Sequence, residues 1–190
     1  PTDMRMANMS WSADGKNLAF SNNTYTGVEL WVLNIETLSA KRLTQGLLND
    51  ALGTTLQWNP NGQQILAQFI VDNRGALPVK NLIPDGPIIQ ENLGKVSPDR
   101  TYTYLLENEY DERVMEYYLT SQLKAVNLDG STTNVGKPAM YKSVNYSPDG
   151  QYMMVSTVSK PYSYQVPVQS FPSELNLVSA NGTLIKQLQK

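Results

Sequence analysis

Short apolar runs alternate with turn residues along this chain, and one such pattern occurs three times. In each copy an apolar run ends in an aromatic residue, an Asp-Gly or Asn-Gly pair follows, and a second apolar run begins. Such pairs favour tight turns between strands, since glycine adopts positive φ without steric cost. Repetition of a compound pattern indicates a repeat architecture. The copies span 9–20, 56–67 and 144–155, with aromatic residues Trp11, Trp58 and Tyr146.

The first repeat, about 4–44, continues with strand patterns at 17–22, 28–35 and 40–44. The run 28–35 is the strongest, and it carries apolar residues on both faces, which predicts a sheet covered on both sides. The last run is short and charged, as an exposed edge strand should be. Four antiparallel strands with apolar inner members and a polar outer one are typical of a β-propeller blade. One face is predicted to carry Val28, Leu30 and Val32, and the other Trp31, Leu33 and Ile35.

The other two repeats follow the same plan with one interruption each. The second covers about 51–137, and its Asn61-Gly62 pair favours a type I′ hairpin. The third covers about 138–190, with a Tyr/Pro-rich detour at 160–172. The predicted fold is all-β: a β-propeller fragment of about three four-stranded antiparallel blades, with a loop-plus-helix insertion in the second. Strands are predicted at 64–71, 119–128 and 132–135 in the second blade, and at 151–158, 173–179 and 183–189 in the third.

The insertion in the second blade spans about 72–117. Its first half is irregular and rich in proline and glycine, whereas its second half shows one apolar stripe at helical spacing. The stripe consists of Leu106, Tyr110, Val114, Tyr117 and Tyr118. Much of the remaining surface is acidic, with Glu107, Glu109, Asp111, Glu112 and Glu116.

Composition removes several classes of function. The net charge is −2, so the chain lacks the basic surface of a nucleic-acid-binding protein. No apolar run approaches the ~20 residues of a membrane-spanning helix. The chain contains no cysteine and no histidine, which excludes Ser-His-Asp and Cys-His catalysis within it and the usual zinc sites. We therefore expect no nucleic-acid or membrane partner, no metal or other cofactor, and no catalytic residue.

The blade motifs resemble those of TolB-like and prolyl-oligopeptidase-family propellers. That resemblance is carried by Trp11-Ser12-x-Asp14-Gly15-Lys16-x-Leu18-Ala19-Phe20, by Glu29-Leu30-Trp31-Val32-Leu33 and by Lys41-Arg42-Leu43-Thr44. The insertion and the detour are more specific, and they resemble the glutamyl endopeptidase branch of the prolyl oligopeptidase family. The motifs are Asp72-Asn73-Arg74-Gly75-x-x-Pro78-Val79-Lys80, Pro84-x-Gly86-Pro87-x-Ile89-Gln90-Glu91-Asn92-x-Gly94-Lys95, Arg100-Thr101-Tyr102, Glu116-Tyr117-Tyr118-x-Thr120-Ser121-Gln122-Leu123, Pro161-Tyr162-Ser163-Tyr164-x-Val166-Pro167 and Phe171-Pro172.

The resemblance implies a propeller of about seven or eight blades, of which this chain would be a part. It also implies a following α/β-hydrolase domain with a Gly-x-Ser-x-Gly elbow and a Ser/Asp/His triad, neither of which occurs here. The expected partners are that C-terminal hydrolase domain and peptide substrates, and this chain alone should be inert. A periplasmic or secreted location is expected, and the alternative is a cytoplasmic location. The alternative is a TolB-like protein-binding propeller with no associated enzyme.

Two arginines flank the irregular part of the insertion, Arg74 and Arg100. In a peptidase that accepts acidic side chains, a guanidinium could hold a substrate carboxylate with two hydrogen bonds. The alternative role for each is a salt bridge that anchors the loop. The acidic helix face is interpreted as solvated surface; the alternative is a site for a substrate amino terminus or cation, as in a distant branch of the family.

The repeated aromatic residues Trp11, Trp58 and Tyr146 are predicted to be core residues beside the blade turns. Three blades cannot close a ring, so the first and last blades should each expose an apolar face. We therefore expect the chain to self-associate through these faces.

Overall fold

The computed structural model describes residues 4–53, 56–80, 102 and 104–189. Within these ranges the chain forms three antiparallel sheets of four strands, and each sheet follows the order of the sequence. The predicted arrangement of four-stranded antiparallel units is confirmed. The first sheet contains β1 (Met6–Trp11), β2 (Asn17–Thr24), β3 (Gly27–Asn34) and β4 (Ser39–Arg42). The second contains β5 (Leu56–Trp58), β6 (Gln64–Ile70), β7 (Ser121–Asn127) and β8 (Thr132–Ala139). The third contains β9 (Tyr141–Tyr146), β10 (Tyr152–Val158), β11 (Ser173–Ser179) and β12 (Leu184–Gln189).

Two elements lie outside the sheets. The helix α1 (Glu109–Leu119) precedes β7, and a 3₁₀ turn (Val168–Ser170) precedes β11. The insertion is thus helical in its second half, as predicted, although Leu106 lies before the first helical turn. In the part of the chain that the structure describes, no helix has the length and apolar character needed to span a bilayer. The same residues contain no group of acidic side chains placed to hold a metal ion.

The three repeated turns share one backbone geometry. Gly15, Gly62 and Gly150 each have φ 70°, and each N–H donates to the carbonyl three residues earlier. A type I′ turn needs positive φ at both central residues, and Asn61 is not among the positive-φ residues. The type I′ prediction for Asn61-Gly62 is therefore wrong. The side chain of Asn61 accepts the N–H of Gln63 at 3.0 Å, which favours a right-handed residue followed by a left-handed glycine.

The second sheet is covered on both faces. Along β6, Ile65, Ala67 and Phe69 pack toward the first sheet, whereas Leu66 packs toward the third. All four side chains are buried, which explains why consecutive positions 65–67 of β6 are apolar although they point to opposite faces of the sheet. The middle blade thus contributes to two hydrophobic cores, one at each junction between sheets.

The first sheet is covered by a neighbouring sheet on one face only within the described residues. Leu30 and Val32 of β3 are buried against the second sheet, but Trp31 and Leu33 on the opposite face are half-buried. The prediction that both faces of this sheet are covered is wrong, because the described residues place no sheet beside Trp31. On this face the side chains of the first sheet pack on each other instead, since Trp31 stacks on Phe20 with ring centroids 6.4 Å apart.

The repeated aromatic residues differ in environment although they are equivalent in sequence. Trp58 is 5% exposed, and its Nε1–H donates to the carbonyl of Ser10 at 2.9 Å. Tyr146 is partly buried against the junction of the second and third sheets. Trp11 is 58% exposed, so its prediction as a core residue is wrong. Trp58 packs against the sheet that precedes it, and no described residues form such a sheet before Trp11.

Candidate functional site

Both interruptions of the repeat lie at the same end of their sheets. The insertion joins β6 to β7 and the detour joins β10 to β11, which are in each case the second and third strands of a blade. Because the blades are built alike, both connections leave their sheets at equivalent ends, between the second and third strands. They contact each other through side chains of α1 and of residues 160–172. This joint surface is the candidate functional site.

The helix at this surface is fixed at both ends. Asn108 caps its first turn by accepting the N–H of Asp111 at 3.0 Å, and Asp111 in turn accepts the N–H of Glu107 at 2.9 Å. The first bond satisfies a backbone donor that the first turn leaves unpaired, and the second ties the residue before the cap to the helix. At the other end, the side-chain amide of Asn49 donates to the carbonyls of Tyr118 and Thr120. The helix is therefore positioned by the connection between the first two blades.

Two acidic residues of α1 are bound by the detour. The carboxylate of Glu116 accepts the hydroxyl of Tyr162 at 2.7 Å and pairs with Lys160 at 2.8 Å. The carboxylate of Glu112 accepts the hydroxyl of Tyr164 at 2.6 Å. The interpretation of the acidic face as solvated surface is therefore wrong for these two residues, since they hold the helix against the third blade. We call these five residues the helix–detour clamp.

The clamp changes the protonation behaviour of its members. Burial would raise the pKa of Glu116, but hydrogen bonds from Lys160 and Tyr162 outweigh it and lower that pKa below its usual 4.5. Burial, followed by the hydrogen bond to Glu112, raises the pKa of Tyr164 from 10.0 to about 12. Burial, followed by the hydrogen bond to Glu116, likewise raises the pKa of Tyr162. Near neutral pH, Glu116 in the clamp is therefore ionised, and Tyr162 and Tyr164 are neutral.

We expect the helix–detour clamp to loosen in acid. Because the folded-state pKa of Glu116 is lowered, its contribution is complete above the unfolded value of 4.5 and is lost as the pH falls through the folded value. Tyr164 has the opposite sign, so its contribution is lost between pH 10.0 and about 12. The tyrosine ring signals of Tyr162, followed by NMR from pH 6 to 3, should report the acid transition. The Glu116→Gln variant should abolish it, and an unchanged transition in that variant would contradict this assignment.

Arg74 lies in a tight turn directly after β6. The turn is fixed by left-handed residues on either side of Arg74, Asn73 at φ 56° and Gly75 at φ 82°. The guanidinium carbon of Arg74 lies 4.0 Å from the ring centroid of Tyr117 and 5.6 Å from that of Tyr118. The salt bridge considered for Arg74 is not found among the described residues, where these cation–π contacts hold it instead. Arg100, the second candidate, lies outside the described residues.

A surface cavity of about 460 Å³ opens between the Arg74 turn and α1. It brings Arg74 together with Arg113, a residue that the sequence reasoning did not single out. The signal was available, because Arg113 is the one basic residue within an acidic helix, four residues after Glu109. The lining residues are Val71, Asn73, Arg74, Pro78, Arg113, Glu116, Tyr117 and Thr120.

Known proteins with similar sequences indicate which kind of protein this chain resembles. No family model matches the chain. A protein of Oryza sativa subsp. japonica named "probable glutamyl endopeptidase, chloroplastic" is 36% identical over 197 residues, covering 99% of the chain. A protein of the same name from Arabidopsis thaliana is 37% identical over 188 residues, covering 95% of the chain. The predicted resemblance to the glutamyl endopeptidase branch is confirmed. The chain spans only 21% and 20% of the length of these two curated relatives.

Solved structures similar to the chain confirm the β-propeller prediction. Prolyl endopeptidases match with a TM-score of 0.54 at 12% identity, over 97% of the chain and 22% of theirs. TolB from Acinetobacter baumannii matches with a TM-score of 0.53 at 14% identity, over 96% and 32%. The β-propeller domain of the Trilobed protease from Pyrococcus furiosus matches with a TM-score of 0.51 at 10% identity, over 98% and 43%. At these identities the likeness establishes the fold alone.

Proposed function

We propose that this chain is a non-catalytic propeller segment of a serine peptidase of the prolyl oligopeptidase family. In that role it gates the access of peptides to a hydrolase domain outside this sequence. The observation that carries the proposal is 36% identity to a probable glutamyl endopeptidase across 99% of the chain, including the insertion and the detour. A sequence without histidine and without Gly-x-Ser-x-Gly fits the gating part of such an enzyme.

Gating follows from steric exclusion. A propeller that covers an active site admits short or flexible peptides and excludes folded proteins, because only the former can pass its narrow openings. The helix–detour clamp supports this role, since it holds α1 against the detour at one end of the blades. A fixed rim can exclude by shape, whereas an unattached loop could be displaced by a large substrate.

The test is performed on the native gene product and on this chain in parallel. We expect the intact mass of the native product to exceed that of this 21.2-kDa chain by several-fold. A fluorophosphonate probe should label the native product and leave this chain unlabelled. The labelled product should hydrolyse short acidic peptides and spare the same sequences within a folded protein. Equal cleavage of both would refute gating while leaving the peptidase assignment in place.

The alternative is a TolB-like propeller that binds a protein partner with no associated enzyme. The structural match to TolB is compatible with it, but at 14% identity that match establishes the fold alone. A native product close to this chain in mass, with no fluorophosphonate labelling, would establish this alternative and overturn the peptidase proposal.

We expect this chain to self-associate through its two outer blades. The first sheet exposes Met9 and Trp11, and the third exposes Tyr152 and Met154 on the face opposite its core. Burying such patches against each other is favourable by ~25 cal/mol per Å² of apolar surface. Sedimentation velocity across a range of concentrations should show oligomers, and the Trp11→Ser/Met154→Ser variant should shift the chain toward monomer. A wild-type chain that stays monomeric at high concentration would contradict this expectation.

A further inference from the structure

The cavity beside Arg74 carries an excess of positive charge on an otherwise acidic part of the molecule. Its lining contains two guanidinium groups, from Arg74 and Arg113, and one carboxylate, from Glu116. That carboxylate is already neutralised, because Lys160 lies 2.8 Å from it and the hydroxyl of Tyr162 occupies the same oxygen. The cavity therefore has cationic groups without a matching anion among the described residues.

The other carboxylate near Arg74 in sequence is also engaged. Asp72, two residues earlier, forms a 2.8 Å salt bridge to Lys124 on β7. Among the described residues, the carboxylate nearest to Arg113 is that of the highly exposed Glu109, 4.0 Å from its Nη1. No carboxylate of the described residues lies within salt-bridge distance of Arg74. Within the described residues, the nearby carboxylates of Asp72 and Glu116 are thus paired with lysines and not with Arg74 or Arg113.

The guanidinium of Arg74 is oriented before any ligand arrives. Its central carbon lies over the Tyr117 ring, 4.0 Å from the centroid, so the ring covers one side of the group, and the Tyr117 hydroxyl donates to the carbonyl of Gly75 in the same turn at 3.4 Å. A stacked guanidinium points its N–H donors sideways, along its own plane, where they can form two parallel hydrogen bonds to a carboxylate. Pre-orientation reduces the side-chain entropy lost on binding.

We propose that Arg74 and Arg113 form a binding site for a peptide carboxylate, with Tyr117 as the platform that positions Arg74. The carboxylate belongs to an acidic side chain or to the C-terminus of the peptide, and both present the same two oxygens. The cavity of about 460 Å³ accommodates the end of a peptide, not a folded domain. This site goes beyond the proposed gating role and does not depend on it, because binding is a property of this chain in either protein context.

The experiment titrates the full 190-residue chain with three tetrapeptides while the arginine Nε–Hε signals are followed by NMR. The probes are acetyl-Ala-Ala-Glu-Ala-amide, acetyl-Ala-Ala-Ala-Ala with a free carboxylate, and neutral acetyl-Ala-Ala-Ala-Ala-amide. We expect the Arg74 signal to shift saturably with one or both of the charged peptides, and the stronger of the two identifies the source of the carboxylate. Equal shifts with the neutral peptide would overturn the proposal.

Variants separate this site from general electrostatics. Arg74→Gln should weaken binding of the preferred peptide at least about tenfold, as expected for loss of a charge-assisted pair, and Arg74→Lys should weaken it less. Arg113→Gln should also weaken it. Arg5→Gln is the matched control, because Arg5 likewise stacks on a tyrosine, Tyr25 at 5.6 Å, but lies outside the cavity. An equal loss in Arg5→Gln, or no loss in Arg74→Gln with an unchanged amide spectrum, would refute the site.

Discussion

Replacing Trp58 with alanine should lower the free energy of unfolding of the chain by about 3–5 kcal/mol. Trp58 is 5% exposed and packs in the core between the first two sheets, beside Leu30 and Ile65. The substitution leaves a cavity there and removes the donor to the carbonyl of Ser10. Equilibrium unfolding in urea, followed by far-UV circular dichroism, measures the loss.

The matched control is Trp11→Ala, the same substitution at the equivalent position of the first blade. Trp11 is 58% exposed, so its removal should cost no more than about 1 kcal/mol. A difference of several-fold between the two variants would establish that the repeated aromatic residue stabilises the junction between neighbouring blades. Similar losses at both positions would contradict that role, because Trp11 has no such junction in the described residues.

These two tryptophans also show that the sequence pattern predicts strands and turns but not the burial of a side chain. The pattern around each is the same, and it correctly placed a strand, a turn and a second strand at both sites. Burial, however, depends on what lies across the sheet, and a local pattern carries no information about that neighbour. The sequence therefore predicted the fold unit well and the environment of Trp11 wrongly.

The candidate site shows the same limit over longer distances. The helical stripe predicted α1, and the acidic composition of its other residues indicated exposure to solvent. Glu116 is nevertheless paired with Tyr162, which lies 46 residues later in the chain. Only the closeness of two interruptions in neighbouring blades brings these side chains together. The cation–π contact of Arg74 with Tyr117, at the opposite end of the insertion, could not be predicted for the same reason.

Backbone contacts between blades cannot be predicted from local sequence either, and one such contact involves two glycines. Gly136 on β8 donates its N–H to the carbonyl of Asn181 at 3.1 Å, next to Gly182 in the last hairpin. A Cβ placed on Gly182 would lie 2.2 Å from the backbone nitrogen of Gly136. The second and third sheets therefore approach each other this closely because Gly182 lacks a side chain, whereas a Cβ on Gly136 would meet its nearest neighbour at an ordinary 3.5 Å.

Gly182→Ala should consequently destabilise the chain by about 2–5 kcal/mol, from two separable causes. Gly182 has φ +84°, so alanine there incurs the left-handed backbone cost, and its methyl group also collides with backbone that has no rotamer to change. Gly15→Ala isolates the first cause, since Gly15 has φ +70° and a Cβ there would meet no atom within 4 Å. The control should lose only about 1–2 kcal/mol of unfolding free energy in urea.

Hydrogen exchange locates the second cause. The amide of Gly136 should exchange faster in Gly182→Ala than in Gly15→Ala, because the third sheet must move away to relieve the collision. If both variants lost the same stability and protected Gly136 equally, the contact between these blades would not depend on the missing side chain.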